Sequence, residues 1–158
     1  MSNEPSVSNL PSQDERVMAA LSHISAVLPF MGVIAPIIIW ATQKNKSPFV
    51  AFQSLQAIAF QLTMILSWFL GMGCYMCSFF SMFAIMAIAS AASKGSKTIT
   101  SPLLEIPFLF PFVIMAAMFV VMVIYDVYGV LAAIRSLQGK PFRYAIIGHR
   151  IERFLNSN

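Results

Sequence analysis

The chain has 158 residues, of which 58% are hydrophobic and only 10% charged, with a formal net charge of +4 and a mean hydropathy of +0.77. A soluble core inside a charged surface cannot be built from that composition, so the sequence reads as an integral membrane protein. Five of the ten basic residues fall at or after the end of the last apolar segment, which matches the positive-inside pattern rather than a nucleic-acid footprint.

The first residues, MSNEPSVSNLPSQDER, are polar and acidic before Arg16. They lack the basic start, short apolar core and cleavage site of a secretory signal, and residues 1–13 read as a disordered cytoplasmic tail. Residues 14–138 then form a membrane helical domain, and 139–158 a tail on the cytoplasmic face.

Three apolar stretches follow, roughly 17–42, 49–90 and 107–134. About 20 residues at 1.5 Å each cross a hydrocarbon core of about 30 Å. The first stretch is interrupted by Pro29, Gly32 and Pro36, so it divides into two short helices, 17–28 and 33–42, that either cross once or dip in and return. The second, taken on to Ala92, would be about 66 Å long as one straight helix, and GMG at 71–73 is the candidate turn. SKGSKTITSP is a polar loop, and Pro107 and Pro111 flank the start of the last span.

The expected fold is an all-α membrane bundle of about four helices with N- and C-termini in the cytoplasm. Four spans leave six basic residues inside and four outside; a re-entrant N-terminal pair followed by two long spans leaves eight and two. After Arg135, SLQGKPFRY ends the span, and Ile147, Ile151, Phe154 and Leu155 recur at helical spacing among charged residues. That pattern predicts an amphipathic interfacial helix, with Arg135, Lys140, Arg143, Tyr144, Arg150 and Arg153 at anionic headgroups.

Polar residues within the apolar region are the candidate functional or packing groups. On a helical wheel Gln53, Gln56, Thr63, Ser67, Gly71, Cys74 and Ser78 share one sector, with Gln61 about a quarter turn away. Such a stripe suits a seam between helices, because an amide alone in hydrocarbon is costly. Asp126 is the one acidic residue well inside a span, and either a proton-coupled role or bundle hydrogen bonds to glutamines, His23 or a tyrosine would satisfy it. His23 has no second ligand at helical spacing, and the CYMC pair at Cys74 and Cys77 has no second pair. No catalytic residues, metal site or cofactor are expected, and no nucleotide, hydrolase or zinc-protease motif is present.

DERVMAALSHISA, APIIIW and SPFVAFQSLQAIAFQ at the front, with LAAIRSLQGKPFRY at the back, resemble a family of small bacterial membrane proteins of unknown function related to a Tic-type chloroplast inner-envelope import component. The resemblance covers about half the chain. It carries over His23, Pro36, Trp40, Ser47 to Phe49, Gln53, Gln56, Ala57, Phe60 and Gln61, then Gly139, Arg143 and Tyr144. Ala51, Leu55 and Ala59 depart from it, and residues 71–111 match no motif. It implies an α-helical membrane domain remotely related to a protein-conducting machine; the small size, the lack of catalytic groups and the long apolar helices add the expectation of a non-enzymatic, multi-pass protein of the prokaryotic cytoplasmic membrane. An accessory or scaffold role in a larger complex, linked to protein translocation or assembly, leads; a small transporter or channel component using Asp126 is the alternative. Another membrane protein or a second copy is the expected partner.

Overall fold

The structure is a computed structural model describing residues 10–28, 30–92 and 102–144, all helices and turns, with no strand among them. Four α-helices occur: α1 (Gln13–Ile24), α2 (Ile34–Gln43), α3 (Pro48–Ala92) and α4 (Pro102–Leu137). The expected amphipathic helix beyond Tyr144, the loop 93–101 and most of the N-terminal tail lie outside the described residues.

Local chemistry explains each boundary. Ser12 caps α1 with its hydroxyl on the Glu15 N–H, and the Glu15 carboxylate returns a bond to the Ser12 N–H at 2.7 Å, a capping box. After α1 the chain turns through two short 3-10 segments, Ser25–Val27 and Met31–Val33, around Phe30 at φ 62°. α1 and α2 are in contact. Gly32 makes the reversal possible: any Cβ there would overlap the Ser25 carbonyl oxygen. The sequence break around Pro29 to Pro36 is therefore realised as two separate short helices.

α3 begins with Ser47 as its cap, whose hydroxyl accepts the Val50 N–H at 3.3 Å, and with proline in the first helical position. It continues without interruption for 45 residues, so GMG is not a turn. Gly71 instead gives room to the Met118 side chain, and Gly73 faces open space. The drawn arrangement thus has two long helices where four spans were one expectation, because glycine in a membrane helix relaxes packing without forcing the backbone out of the helix. α4 starts at Pro102 and carries Pro107 and Pro111 inside it. It ends in a Schellman turn: Gly139, at φ 72°, donates to Ser136 O at 2.9 Å and Lys140 to Arg135 O at 3.1 Å.

Among the described residues, α3 and α4 are the two helices long and apolar enough to cross a membrane, over Pro48–Ala91 and Pro107–Leu137. The chain divides into two compact units. One comprises residues 1–65 and 124–158; the other, 66–123, contains the second half of α3 and the first part of α4. The described surface of this second unit is apolar, with Phe69 at 64% and Ile88 at 69% exposure.

The first unit is built inside out by the standard of a water-soluble domain. Its most buried large side chains include His23, Gln53, Gln56 and Gln61, each no more than 1% exposed, while Leu21, Leu28, Ile37 and Ile38 face outward. Water would reward the opposite arrangement, and hydrocarbon rewards this one: polar groups must find partners inside and apolar groups lose nothing by facing lipid. The molecule is a helical membrane protein.

Candidate functional site

The polar centre of the first unit gathers residues from α1, from the start of α3, and from the extended segment Phe142–Tyr144 that follows α4. Gln53 and Gln56 are three positions apart on α3 and so face the same way. Gln53 Nε2 donates to the Phe142 carbonyl at 3.3 Å, which turns its Oε1 toward His23 Nε2 at 2.9 Å. His23 must then carry its proton on Nε2, leaving Nδ1 to accept from the Tyr144 hydroxyl at 3.2 Å. Gln56 grips the same backbone twice, donating to Phe142 O at 2.9 Å and accepting the Tyr144 N–H at 3.0 Å.

Gln61, two turns further along α3, serves the far end of α1. Its amide donates to Ser22 O at 3.3 Å and to Ser25 Oγ at 3.2 Å, satisfying a carbonyl in the last turn of a helix that ends inside the protein. Ser22 and Ser54 share a hydrogen bond at 3.0 Å between the same two helices. The Tyr144 ring stacks on Phe60 with centroids 4.2 Å apart and planes 13° from parallel, and Tyr125 packs on the other contact of Phe60 at 5.0 Å.

Burial governs the electrostatics. It pushes His23 down to about 4, only partly opposed by the Gln53 bond, so the imidazole is neutral at physiological pH. Burial likewise pushes the Tyr144 hydroxyl up, keeping it a donor. Glu15, at the outer end of α1, is half-buried; a bond from Ser47 and then the Ser12 backbone hold its carboxylate below the usual value.

Of the sequence candidates, His23, Gln53, Gln56 and Gln61 meet in this centre. Asp126 does not: it is half-buried on α4 and has no hydrogen-bond or ion-pair partner among the described residues. His23, which the sequence offered it, is already occupied by Gln53 and Tyr144. One turn on, Gly129 packs against Ala26 and the His23 carbonyl. Arg135, Lys140 and Arg143 are exposed, whereas Tyr144 is buried rather than at the interface; Arg150 and Arg153 lie outside the described residues. Thr63 and Cys74, placed in the polar stripe by the wheel, are exposed, and the Thr63 hydroxyl turns back to its own helix at Ala59 O.

Sequence reasoning missed the pairing of the glutamines with a backbone more than 80 residues away, and missed Ser22 and Ser54. The signal that pointed toward it was the aromatic-Arg-Tyr motif. Among the described residues no three potential metal ligands come together. Chemically the cluster is a neutral, mutually satisfied network, suited to holding helices and a segment of backbone.

A family model describing the magnetosome magnetite crystal formation proteins matches residues 14–151. No curated protein and no solved structure matches the chain. The match replaces the resemblance to a chloroplast import component. Of the motif residues behind that resemblance, His23, Gln53, Gln56 and Tyr144 hydrogen-bond to one another and Gln61 bonds to Ser22 and Ser25 of the α1 end, and a packing signature carries no information about a translocated cargo. Matched over most of its length, the chain belongs to the MamF/MmsF magnetosome magnetite crystal formation protein family.

Proposed function

We propose that the chain is a non-enzymatic accessory or scaffold protein of magnetite crystal formation, multi-pass in a prokaryotic membrane with both termini on the cytoplasmic side. The observation that carries this reading is the polar centre itself: the buried amides and the histidine spend their hydrogen-bonding capacity on one another and on backbone. In α1 and α2, 12 and 10 residues long, the rise is about 18 and 15 Å, each roughly half the hydrocarbon thickness. Their contact favours a re-entrant pair beside two crossing helices, with eight of ten basic residues on one side. Arg16, Lys44, Lys46, Arg135, Lys140 and Arg143 then face anionic headgroups. A second membrane protein or a second copy is the partner, and nucleic acid is not.

Deleting the gene in its host and imaging the crystals tests the function. Altered crystal size or habit, with membrane vesicles and general secretion intact, is the expected result; unchanged crystals overturn it. Asp126, half-buried and without a partner among the described residues, favours a second reading, a small transport component. An Asp126→Asn chain that loses pH-dependent ion flux in liposomes while wild type shows it would establish that reading.

A further inference from the structure

Within the second unit a cavity of about 160 Å3 lies between α3 and α4, walled by Tyr75 and Phe79 from one helix and by Phe108, Pro111, Phe112 and Met115 from the other. One turn away on each helix, Gly71 admits the Met118 side chain and the two helices touch. At the cavity the gap stays open because the α3 aromatics pack along their own helix. Tyr75 stacks on Phe79 with centroids 6.1 Å apart, and Phe79 meets Phe83 edge to face at 5.1 Å. Facing them, Pro111 is buried, and its ring cannot turn to fill the space.

The lining decides what can enter. An apolar cavity of about 150 Å3 stays dry and takes up a benzene-sized molecule, since a water needs two to four polar partners. Here the wall offers one hydroxyl, that of the half-buried Tyr75, which has no hydrogen-bond partner among the described residues. A hydroxyl in apolar surroundings needs an acceptor. The cavity also reaches the outer surface, where Phe112 is 64% and Met115 52% exposed. That surface faces lipid, and the apolar span of α4 opens at Pro107, just after Glu105 in the sequence. The cavity therefore lies at the edge of the hydrocarbon, where lipid chains join their glycerol esters.

We propose that this cavity binds one acyl chain of a membrane phospholipid, with the Tyr75 hydroxyl donating to the ester carbonyl of the same lipid. The chain brings carbon to a wall that water does not wet, and the ester brings the acceptor that the wall lacks. Roughly six carbons, as in benzene, fill the volume. A bound chain packs against α3 and α4 together and replaces the contacts that the gap forfeits. The bilayer supplies acyl chains as its solvent, so mass action keeps the site filled and stabilises the helix pair. This lipid site is independent of any role in crystal formation.

The test places the full chain in phosphatidylcholine liposomes with a trace of phosphatidylcholine carrying a diazirine near the ester end of one acyl chain. After irradiation, mass spectrometry maps the adducts. Phe110 and Phe112 are about 3 Å apart in depth. They are exposed at 56% and 64%, and of the two only Phe112 lines the cavity. Lipid that merely surrounds the protein labels them alike. The expected result is a severalfold excess on Phe112. Tyr75→Phe should lower that excess severalfold, the worth of one net hydrogen bond, and Met82→Trp, which adds a large ring to the cavity wall, should abolish it. Equal labelling of Phe110 and Phe112 overturns the proposal, as does weaker labelling of Phe112, the mark of a second copy seated over the cavity. An excess that survives Met82→Trp in folded protein overturns it too, and one that Tyr75→Phe leaves unchanged overturns the hydroxyl's part. If Met82→Trp fails to fold, the wild-type comparison decides alone.

Discussion

Gln53 fixes the tautomer of His23 from 30 residues away: its amide nitrogen is committed to Phe142 O, so its oxygen can only accept from the imidazole, 2.9 Å distant. The histidine is thereby a donor on one side and an acceptor on the other, joining α1, α3 and the segment Phe142–Tyr144. Replacing it with leucine leaves the Gln53 oxygen and the Tyr144 hydroxyl buried without partners. At about 1–3 kcal/mol for each orphaned group, His23→Leu should lose about 2–6 kcal/mol of stability. Thermal unfolding in detergent, compared with His23→Gln as the milder change, measures it.

Acid should loosen the same joint. His23 titrates near 4 in the folded protein and near 6.5 when unfolded. Between those values the unfolded chain binds the proton and the folded chain does not, so stability rises with pH across the window. The contribution is complete above about pH 6.5, declines as pH falls toward 4 and is flat below. Its full size is on the order of 3 kcal/mol. His23→Gln should flatten the melting temperature between pH 6.5 and 4.5. A residual slope below 4.5 belongs to carboxylates such as Glu15, held under its ordinary value.

The paired Gln53→Leu, Gln56→Leu protein should loosen the segment Phe142–Tyr144. Phe142 O loses both donors and the Tyr144 N–H its acceptor, so a protease acting near residue 143 should cut the variant many times faster than wild type. Equal cutting rates and equal melting temperatures would place the seam elsewhere.

Three glycines should respond differently to alanine. Gly32→Ala drives a methyl into the Ser25 carbonyl and should destabilise by several kcal/mol or prevent the reversal after α1. Gly71→Ala meets only the flexible Met118 side chain and should cost little. Gly73→Ala meets nothing and should stabilise the helix by up to about 1 kcal/mol. A melting series over the three variants checks the order.

Much of the first unit was legible because membrane sequences make polarity conspicuous. Pro29, Gly32 and Pro36 announced a broken N-terminal segment, and three glutamines in a hydrophobic run announced a seam. The wheel erred in assuming one seam along all of α3. Burial of polar groups stops at Gln61, and beyond it Thr63 satisfies its hydroxyl on its own helix. The partner of the seam was hidden for a different reason: Phe142 contributes a carbonyl, a group that every residue carries and no side-chain pattern reports. GMG misled because glycine serves equally well as a hinge and as a place for another side chain to rest.

The His23 to Tyr144 bond closes 121 positions of chain. At about 5–20 residues per second of synthesis, the histidine waits on the order of ten seconds for its last partner to be made. Until then Gln53 and Gln56 lack the backbone that they hold, so the polar centre closes only after both long helices have been made. A nascent chain halted before the tyrosine would sit in the bilayer with those two amides unsatisfied. The bond therefore reports that synthesis has passed residue 144.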